Sequence, residues 1–500
     1  MGYTLNHYVH GKAIPHDHAT HFHPITNPAL GEEIGRVPFA TLDTLNLAIQ
    51  SAEEAFPKWA ATPPLKRARV LFKFKELLET HQEELARLVT KEHGKTLEDA
   101  RGSIARGIEL TEFMCGIPHL LQGTFSEQVA THIDCYTLRQ PLGICAGVSP
   151  FNFPVMVPLW MMLPAIACGN CFILKPSEQD PSAPLRLVEL LTEAGLPPGV
   201  ANLLHGDKTI VEHLLHHPKI QTMTAVASTP VAEHIYKTAI NEGKRAHTFG
   251  GAKNHCLVMP DCDINEAASA LSTAAFGSAG ERCMAISVAV VVGEDPAEKL
   301  AHAIASTMTA IKIGPGDKAG IDMGPLVSRT LLERVRNYID IGVTEGATLR
   351  VDGRQMTFPE YPQGYFLGPS LFDNVTPTMR IYKEEIFGPV LIIVRVPDFE
   401  TGLDLINANP YGNGTAIFTH DGDLARTFAS QVQVGMVGIN IPIPVPVAYH
   451  PFGGWKRSVF GDIPMHGNQS IQFYTKVKSV TTRWPKSAFT GHGYTMPHMR

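Results

Sequence analysis

Apolar residues recur at helical spacing soon after the polar start of the chain. From about Thr41, the residues Leu45, Ala48, Ile49, Ala52, Ala55, Phe56 and Trp59 share one stripe, the spacing of a helix that buries one face. Pro63-Pro64 opens a second helix, Gly94 closes a third, and an amphipathic stretch over 96–115 carries Arg101 and Arg106. From Leu142 the pattern changes to short apolar runs divided by helical stretches. Strands are predicted over 143–148, 171–174, 200–204 and 223–227, with helices over 155–168, 184–194, 210–215 and 231–240. The alternation restarts after Ala246, with strands at 256–259, 286–292 and 390–396 and helices at 264–276, 297–311 and 331–346. Alternation of this length predicts βαβ units around parallel sheets, here two α/β units in succession.

Two stretches need separate treatment. Residues 154–174 are apolar except for Asn170, which is long enough for a membrane span. Pro154, Pro158, Pro164 and Gly169 interrupt them, so a buried helix followed by a buried strand is predicted instead. The first forty residues are polar and turn-rich, and an exposed arm is expected. His16, His18, His21 and His23 lie there without Cys or carboxylate partners, so no metal site is expected.

Composition narrows the picture only a little. At 500 residues, 44% hydrophobic and 18% charged, the chain is of globular type, with length for two to four domains. A net charge of −6 gives no reason to expect nucleic acid or an anionic membrane as a partner. Eight cysteines are too sparse for a disulfide scaffold, and the first residues lack the basic and apolar regions of a secretory signal. The expected compartment is the cytoplasm.

Candidate chemistry concentrates in Phe276-Gly277-Ser278-Ala279-Gly280-Glu281-Arg282-Cys283-Met284-Ala285. Small residues let the backbone approach a ligand, and the apolar run that follows puts Cys283 at a helix-to-strand junction. A cysteine attacks as its thiolate, and the neighbouring Arg282 is expected to lower its pKa. A free cysteine is more often simply buried. Here the glycine approach, the arginine and the companion motifs favour a nucleophile.

Ser149-Pro150-Phe151-Asn152-Phe153-Pro154 follows the first strand of the predicted parallel sheet, and ligands bind at the carboxyl ends of such strands. The Asn152 amide suits a developing oxyanion, with an ordinary turn residue as the alternative. Lys175-Pro176-Ser177-Glu178 ends the next strand; it suits the two hydroxyls of a ribose, or is a solvated loop. Ala227-Ser228-Thr229-Pro230 sets a helix N-terminus where a phosphate can sit, a weak signal without GxGxxG spacing. Cys168-Gly169-Asn170-Cys171 is a lone CxxC, read as packing.

In this order, and with Asn27-Pro28-Ala29, Glu384-Glu385-Ile386-Phe387-Gly388-Pro389 and Pro451-Phe452-Gly453-Gly454, these segments resemble the aldehyde dehydrogenase superfamily over nearly the whole chain. Gly280-Glu281-Arg282-Cys283-Met284-Ala285, Gly251-Ala252-Lys253-Asn254-His255 and Pro150-Phe151-Asn152-Phe153-Pro154 are similar to the versions in its CoA-acylating methylmalonate-semialdehyde dehydrogenase group. The resemblance implies an α/β fold with a Rossmann-like NAD-binding domain over 1–120 and 140–246, to which 445–465 returns. It also implies an α/β catalytic domain over 247–444 and a β-arm for oligomerisation from 121–139 and 466–487.

Residue by residue, the resemblance implies Cys283 as nucleophile, with Asn152 and the Cys283 backbone N–H as the oxyanion hole. Lys175 and Glu178 would hold the adenosine ribose of NAD, with Gln179 beside them where the group often has Arg. Ser149, Phe151, Ser228 and Gly250 would line the cofactor, and Glu385 and Phe387 its nicotinamide end. Arg106 and Arg282 would take the substrate carboxylate. Ala227 stands where a glycine is usual. CoA is the implied co-substrate, a small semialdehyde acid the substrate, and a homo-oligomer (tetramer or dimer) the assembly.

Hydrolytic members of the superfamily open a Glu-Leu-Gly-Gly-Lys motif with a glutamate that activates water. The matching Phe249-Gly250-Gly251-Ala252-Lys253 puts Phe249 there, and a phenyl ring takes no proton. The acyl group is therefore expected to pass to CoA, as acetyl-CoA or propionyl-CoA after loss of CO2. Glu281, the other carboxylate nearby, is expected in a structural salt bridge. Two rivals are a hydrolytic aldehyde dehydrogenase that releases a free acid and a non-catalytic NAD-binding protein of this fold. The presence of Cys283, Asn152 and Glu385 together argues against the second.

Overall fold

Two large sheets dominate the computed structural model, which describes residues 2–15 and 21–484. The first has eight strands in the order Val459–Phe460, Arg245–Phe249, Ile220–Val226, Ile144–Val148, Cys171–Lys175, Ala201–Leu203, His7–Val9, Lys12–Ile14. The five from Arg245–Phe249 to Ala201–Leu203 are parallel. From Ile144–Val148 the chain steps outward through two strands, then crosses back to Ile220–Val226 on the other side. The strand order thus reverses beside Ile144–Val148, and loops diverging at such a point leave a crevice.

The second sheet has seven strands in the order Thr348–Val351, Ser370–Asp373, Val390–Val396, Ile286–Val292, Asn254–Val258, Gly414–Phe418, Met436–Ile439. All neighbours are parallel except the first pair. The predicted strand at 286–292 and helix at 264–276 are found at those residues. Each large sheet has its own apolar core.

The apolar stretch at 154–174 divides as expected into the helix Met156–Ala167 and the strand Cys171–Lys175, both wholly buried. Asn170, its one polar interruption, uses every bonding site of its amide. Its oxygen accepts from the Leu142 and Gly143 N–H groups at 2.6 and 3.0 Å, and its NH2 donates to the Ala165 and Tyr474 carbonyls at 3.0 and 2.9 Å. No helix among the described residues is long and apolar enough to cross a membrane.

The start of the chain corrects the sequence reading. It is not an arm: Phe22–Asn27 pairs antiparallel with Glu32–Pro38, Tyr3–Thr4 pairs parallel with the latter, and His7–Val9 joins the eight-stranded sheet. His7–Val9 is wholly buried but only three residues long, and the other strands bury few positions, Ile25 and Val37 among them, so the segment reads as polar although it is paired. His16 and His18 lie outside the described residues. No group of three metal-ligating side chains occurs among the described ones.

A third sheet joins Phe125–Ala130, Ile133–Pro141 and Thr475–Arg483, antiparallel throughout. Most of it faces outward, with Phe125 66% and Val477 56% exposed.

Candidate active site

The crevice at the reversal of strand order is a cleft of about 660 Å³, within the range of roughly 300–1,000 Å³ usual for small-molecule sites. Its floor comes from the loop after Ile144–Val148, which supplies Ser149, Phe151 and Asn152. The next strand ends in Lys175, and Glu178 and Gln179 follow it to one end of the cleft. Ser228, from the loop after Ile220–Val226, and Gly250, after Arg245–Phe249, form one wall. The second α/β unit faces them with Cys283, Glu385 and Phe387. One cleft therefore gathers eleven of the thirteen candidates. Arg106 and Arg282 are the two that do not line it.

The nucleophile loop is built on unusual backbone. After the helix Ile264–Phe276, Ser278, Ala279 and Gly280 all take left-handed conformations, with φ of 54°, 51° and 74°. Two of the three are not glycine, so strain is concentrated just ahead of Cys283. A Cβ at Gly280 would collide with the Gly388 carbonyl, so only glycine lets this loop meet the Glu385–Phe387 segment. Beyond it, the Cys283 carbonyl is clamped by the side-chain amides of Asn254 at 2.8 Å and Asn413 at 3.0 Å. Asn152, buried opposite, donates Nδ2 to the Glu281 carbonyl at 3.0 Å. An amide NH2 has two hydrogens, and the second is left for a substrate oxygen.

Electrostatics correct the expected role of Arg282. Its guanidinium turns to Asp99, at 2.7 Å, and does not serve the sulfur. Burial pushes the Cys283 thiol up to about 12, and Glu385 adds to the effect. The backbone N–H groups of Cys283 and Met284 favour the thiolate but do not offset it. Burial also raises the Glu385 carboxyl, whose Oε1 accepts from the Ala252 N–H at 2.9 Å. Glu281 is not in a salt bridge with Lys or Arg among the described residues. Burial pushes it well up, its Oε1 accepts from the Val327 N–H at 3.0 Å, and its Oε2 faces His93 Nε2 at 3.7 Å.

The residues present fit a dinucleotide. At one end Lys175 Nζ and Glu178 Oε2 are 3.0 Å apart; burial raises that carboxyl, but Lys175 and backbone donors bring it below its ordinary value. A charged lysine–carboxylate pair suits a ribose diol. Midway, the Ser149 hydroxyl is buried without a partner among the described residues, as a donor awaiting a ligand would be. Ser228 lines the cleft and precedes the helix Thr229–Asn241 without capping it, and a helix N-terminus left uncapped suits a phosphate. Phe387, itself at φ 61°, meets Phe151 edge-on at 5.8 Å at the other end.

Arg106 is exposed on the helix Leu97–Cys115 and pairs with Glu109 at 2.9 Å. Phe249 is buried and packs edge-on against His247 and Phe452, 4.8 and 5.5 Å between ring centres. Sequence reasoning missed His23, brought to the cleft by the unexpected N-terminal strand, with its Nε2 3.5 Å from Gln179 Nε2. It also missed Arg334, on the polar face of the helix Arg329–Thr344, which donates to the Glu385 carbonyl at 2.8 Å. Nothing in a helical charge pattern distinguishes such an arginine from a solvated one.

Known proteins resemble this chain over nearly its whole length. A malonate-semialdehyde dehydrogenase of Pseudomonas aeruginosa is 53% identical over 485 residues, 97% of this chain and 97% of the relative. A malonate-semialdehyde dehydrogenase of Geobacillus thermodenitrificans is 46% identical over 481 residues, 96% of this chain and 99% of its own. Among solved structures, a methylmalonate-semialdehyde dehydrogenase from Sinorhizobium meliloti complexed with NAD superposes with a TM-score of 0.96 at 52% identity, covering 97% of this chain and 99% of that one. The methylmalonate-semialdehyde dehydrogenase of Oceanimonas doudoroffii gives 0.95 at 52% identity over the same shares. The α/β fold is that of these enzymes. The profile of the aldehyde dehydrogenase family matches residues 15–480, and the chain belongs to that family.

Proposed function

We propose that the chain catalyses the NAD-dependent oxidative decarboxylation of malonate semialdehyde or methylmalonate semialdehyde, with CoA as acyl acceptor. Cys283 gives its thiol proton to water in the cleft as its Sγ adds to the aldehyde carbon, and the second Asn152 N–H with the Cys283 backbone N–H receives the developing oxyanion. Bound in the cleft, NAD supplies the two-electron oxidant. Lys175 and Glu178 hold its adenosine ribose with Gln179 alongside; Ser149, Phe151, Ser228 and Gly250 flank its middle, and Glu385 and Phe387 orient its reactive end. The acyl group is left as a thioester on Cys283. Its β-carboxylate departs as CO2, the electron pair entering the thioester carbonyl, where Asn152 again donates, and the enolate carbon then takes a proton from water to restore an acetyl or propionyl thioester. The CoA thiolate then attacks the carbonyl carbon and Cys283 leaves as thiolate, giving acetyl-CoA or propionyl-CoA.

The observation that carries the CoA step is the environment of Phe249. Its ring is packed among aromatics and has no proton to exchange, while the Glu281 carboxyl is bound to Val327 and faces His93. Water is left without the base that a hydrolytic enzyme provides, whereas a thiol ionises near neutral pH and attacks unaided. Without CoA, a burst of about one NADH per active site is expected, then slow turnover. CoA restores fast turnover and yields a CoA thioester. Fast release of free acid without CoA would make Glu385, the cleft carboxylate on the Cys283 side, the water-activating base and the hydrolytic reading correct.

Arg106 and Arg282 are proposed for the substrate carboxylate, each exchanging its present carboxylate partner for that of the substrate. Arg106→Leu and Arg282→Leu should lose efficiency on semialdehyde acids and much less on propanal; equal losses would assign them to structure. The exposed three-stranded sheet, with Phe125 and Val477 on its surface, is proposed as the surface through which copies of the chain associate.

A further inference from the structure

Among the largest wholly buried side chains of the described residues, one carries a formal charge: Lys95. It lies in the turn between the helices Gln82–His93 and Leu97–Cys115. Gly94 reverses the chain in a left-handed conformation (φ 96°), and the Leu97 N–H donates to the Gly316 carbonyl at 2.9 Å. A Cβ at Gly324 would strike the Gly94 carbonyl and one at Gly316 the Lys95 carbonyl, so a loop of the second α/β unit closes directly over this turn. The Lys95 side chain runs inward beneath it.

There Nζ donates to the Asn152 carbonyl at 2.6 Å and lies 4.5 Å from the centre of the Phe153 ring. On its other side Asn152 is held through Nδ2 by the Glu281 carbonyl. The residue is thus fixed at its main chain by one buried group and at its side chain by another. Burial works against the Lys95 charge and brings it below the usual lysine range; Asp99 is the main group that favours the ammonium, with Asp180 and Glu281 behind it, and Arg282 opposes it. Burial, and after it the same ammonium, disfavours His93 as a cation. A charged donor bound to a carbonyl in the interior is a strong constraint, because no water can replace it.

We propose that Lys95 is a positioning residue for the reaction: it pins the 152–153 peptide so that the free N–H of the Asn152 amide stays aimed at the substrate oxygen. This rests on the proposed role of Asn152 as an oxyanion donor. Without the ammonium, the carbonyl loses its anchor, the peptide can rotate, and the amide it carries swings off its line to the substrate.

The test is a double-mutant cycle on the NADH burst. The burst precedes deacylation, so it reports on Lys95 whether CoA or water removes the acyl group; the CoA comparison above judges the wider reading separately. Lys95→Met should slow the burst by about 10–100-fold, and Asn152→Ala by about 10²–10³-fold, the scale of one lost oxyanion donor. If Lys95 acts through Asn152, the double variant should be no slower than Asn152→Ala within about threefold. NAD affinity, read by quenching of protein fluorescence, should be unchanged in Lys95→Met. Losses that multiply, or a burst in Lys95→Met equal to that of the parent, would overturn the proposal. Should Lys95→Met fail to fold, Lys95→Gln, which keeps a neutral donor, is carried through the same cycle under the same criterion.

Discussion

Cys283 and Cys168 carry the same thiol, and burial pushes both up to about 12. Cys168 closes the wholly buried helix Met156–Ala167 and is itself buried in the core, with the interior Arg67 the main group favouring its thiolate. Cys283 has part of its surface open to the cleft, amide donors on two sides and a strained loop behind it. The difference between an inert thiol and a nucleophile therefore does not lie in the resting ionisation of this protein. It lies in what can approach the sulfur and in what waits to receive the charge that attack creates.

The strongest way to break that comparison is to delete each sulfur in turn. Cys283→Ala should remove the NADH burst and lower turnover by on the order of 10⁶, the cost of deleting a covalent nucleophile. Cys168→Ala should leave the burst intact. A burst surviving in Cys283→Ala would transfer the nucleophile elsewhere.

Next in size is the oxyanion donor. Asn152→Ala should slow the burst by about 10²–10³-fold with NAD affinity retained. Little change would mean that the Cys283 backbone N–H suffices alone, and the second half of the comparison would lose its basis.

Ionisation itself is tested by pH. With the Cys283 thiol near 12, its thiolate fraction rises about tenfold per pH unit across the neutral range. Carbamidomethylation of the NAD-free protein should climb with that slope from pH 7 to 10 without a plateau, while Cys168 stays unmodified. A plateau near pH 8 would show that the donors around Cys283 outweigh its burial. The smallest effect is on stability: Cys168→Ala should cost about 1 kcal/mol in denaturant unfolding, as removal of a small buried group does.

Cys283 was legible because a glycine approach, a helix ending and an apolar strand beginning are all local patterns. The central strands were legible for the same reason, since strands covered on both faces read as continuous apolar runs. The first forty residues were not, because strands paired at a sheet edge with few buried positions look like loop. The direction of Arg282 was not either. Its partner Asp99 lies 183 positions away, and no local pattern records a contact across that distance. Lys95 shows the same limit: a lysine beside a helix-ending glycine reads as solvated, and only the closing of Gly316 and Gly324 over the turn makes it an interior group.

The edge of the eight-stranded sheet has a consequence for how the molecule is made. Arg245–Phe249 is covered on its outer side by Val459–Phe460, more than two hundred residues later in the chain. At a synthesis rate of about 5–20 residues per second, that edge waits on the order of 10–40 s for its neighbour. During the interval the nascent chain presents an open ladder of N–H and C=O groups, next to Phe249 and an apolar core, to every other ribosome product nearby. Yield of soluble protein should therefore depend on temperature and chaperone supply during translation far more than the stability of the finished fold would suggest.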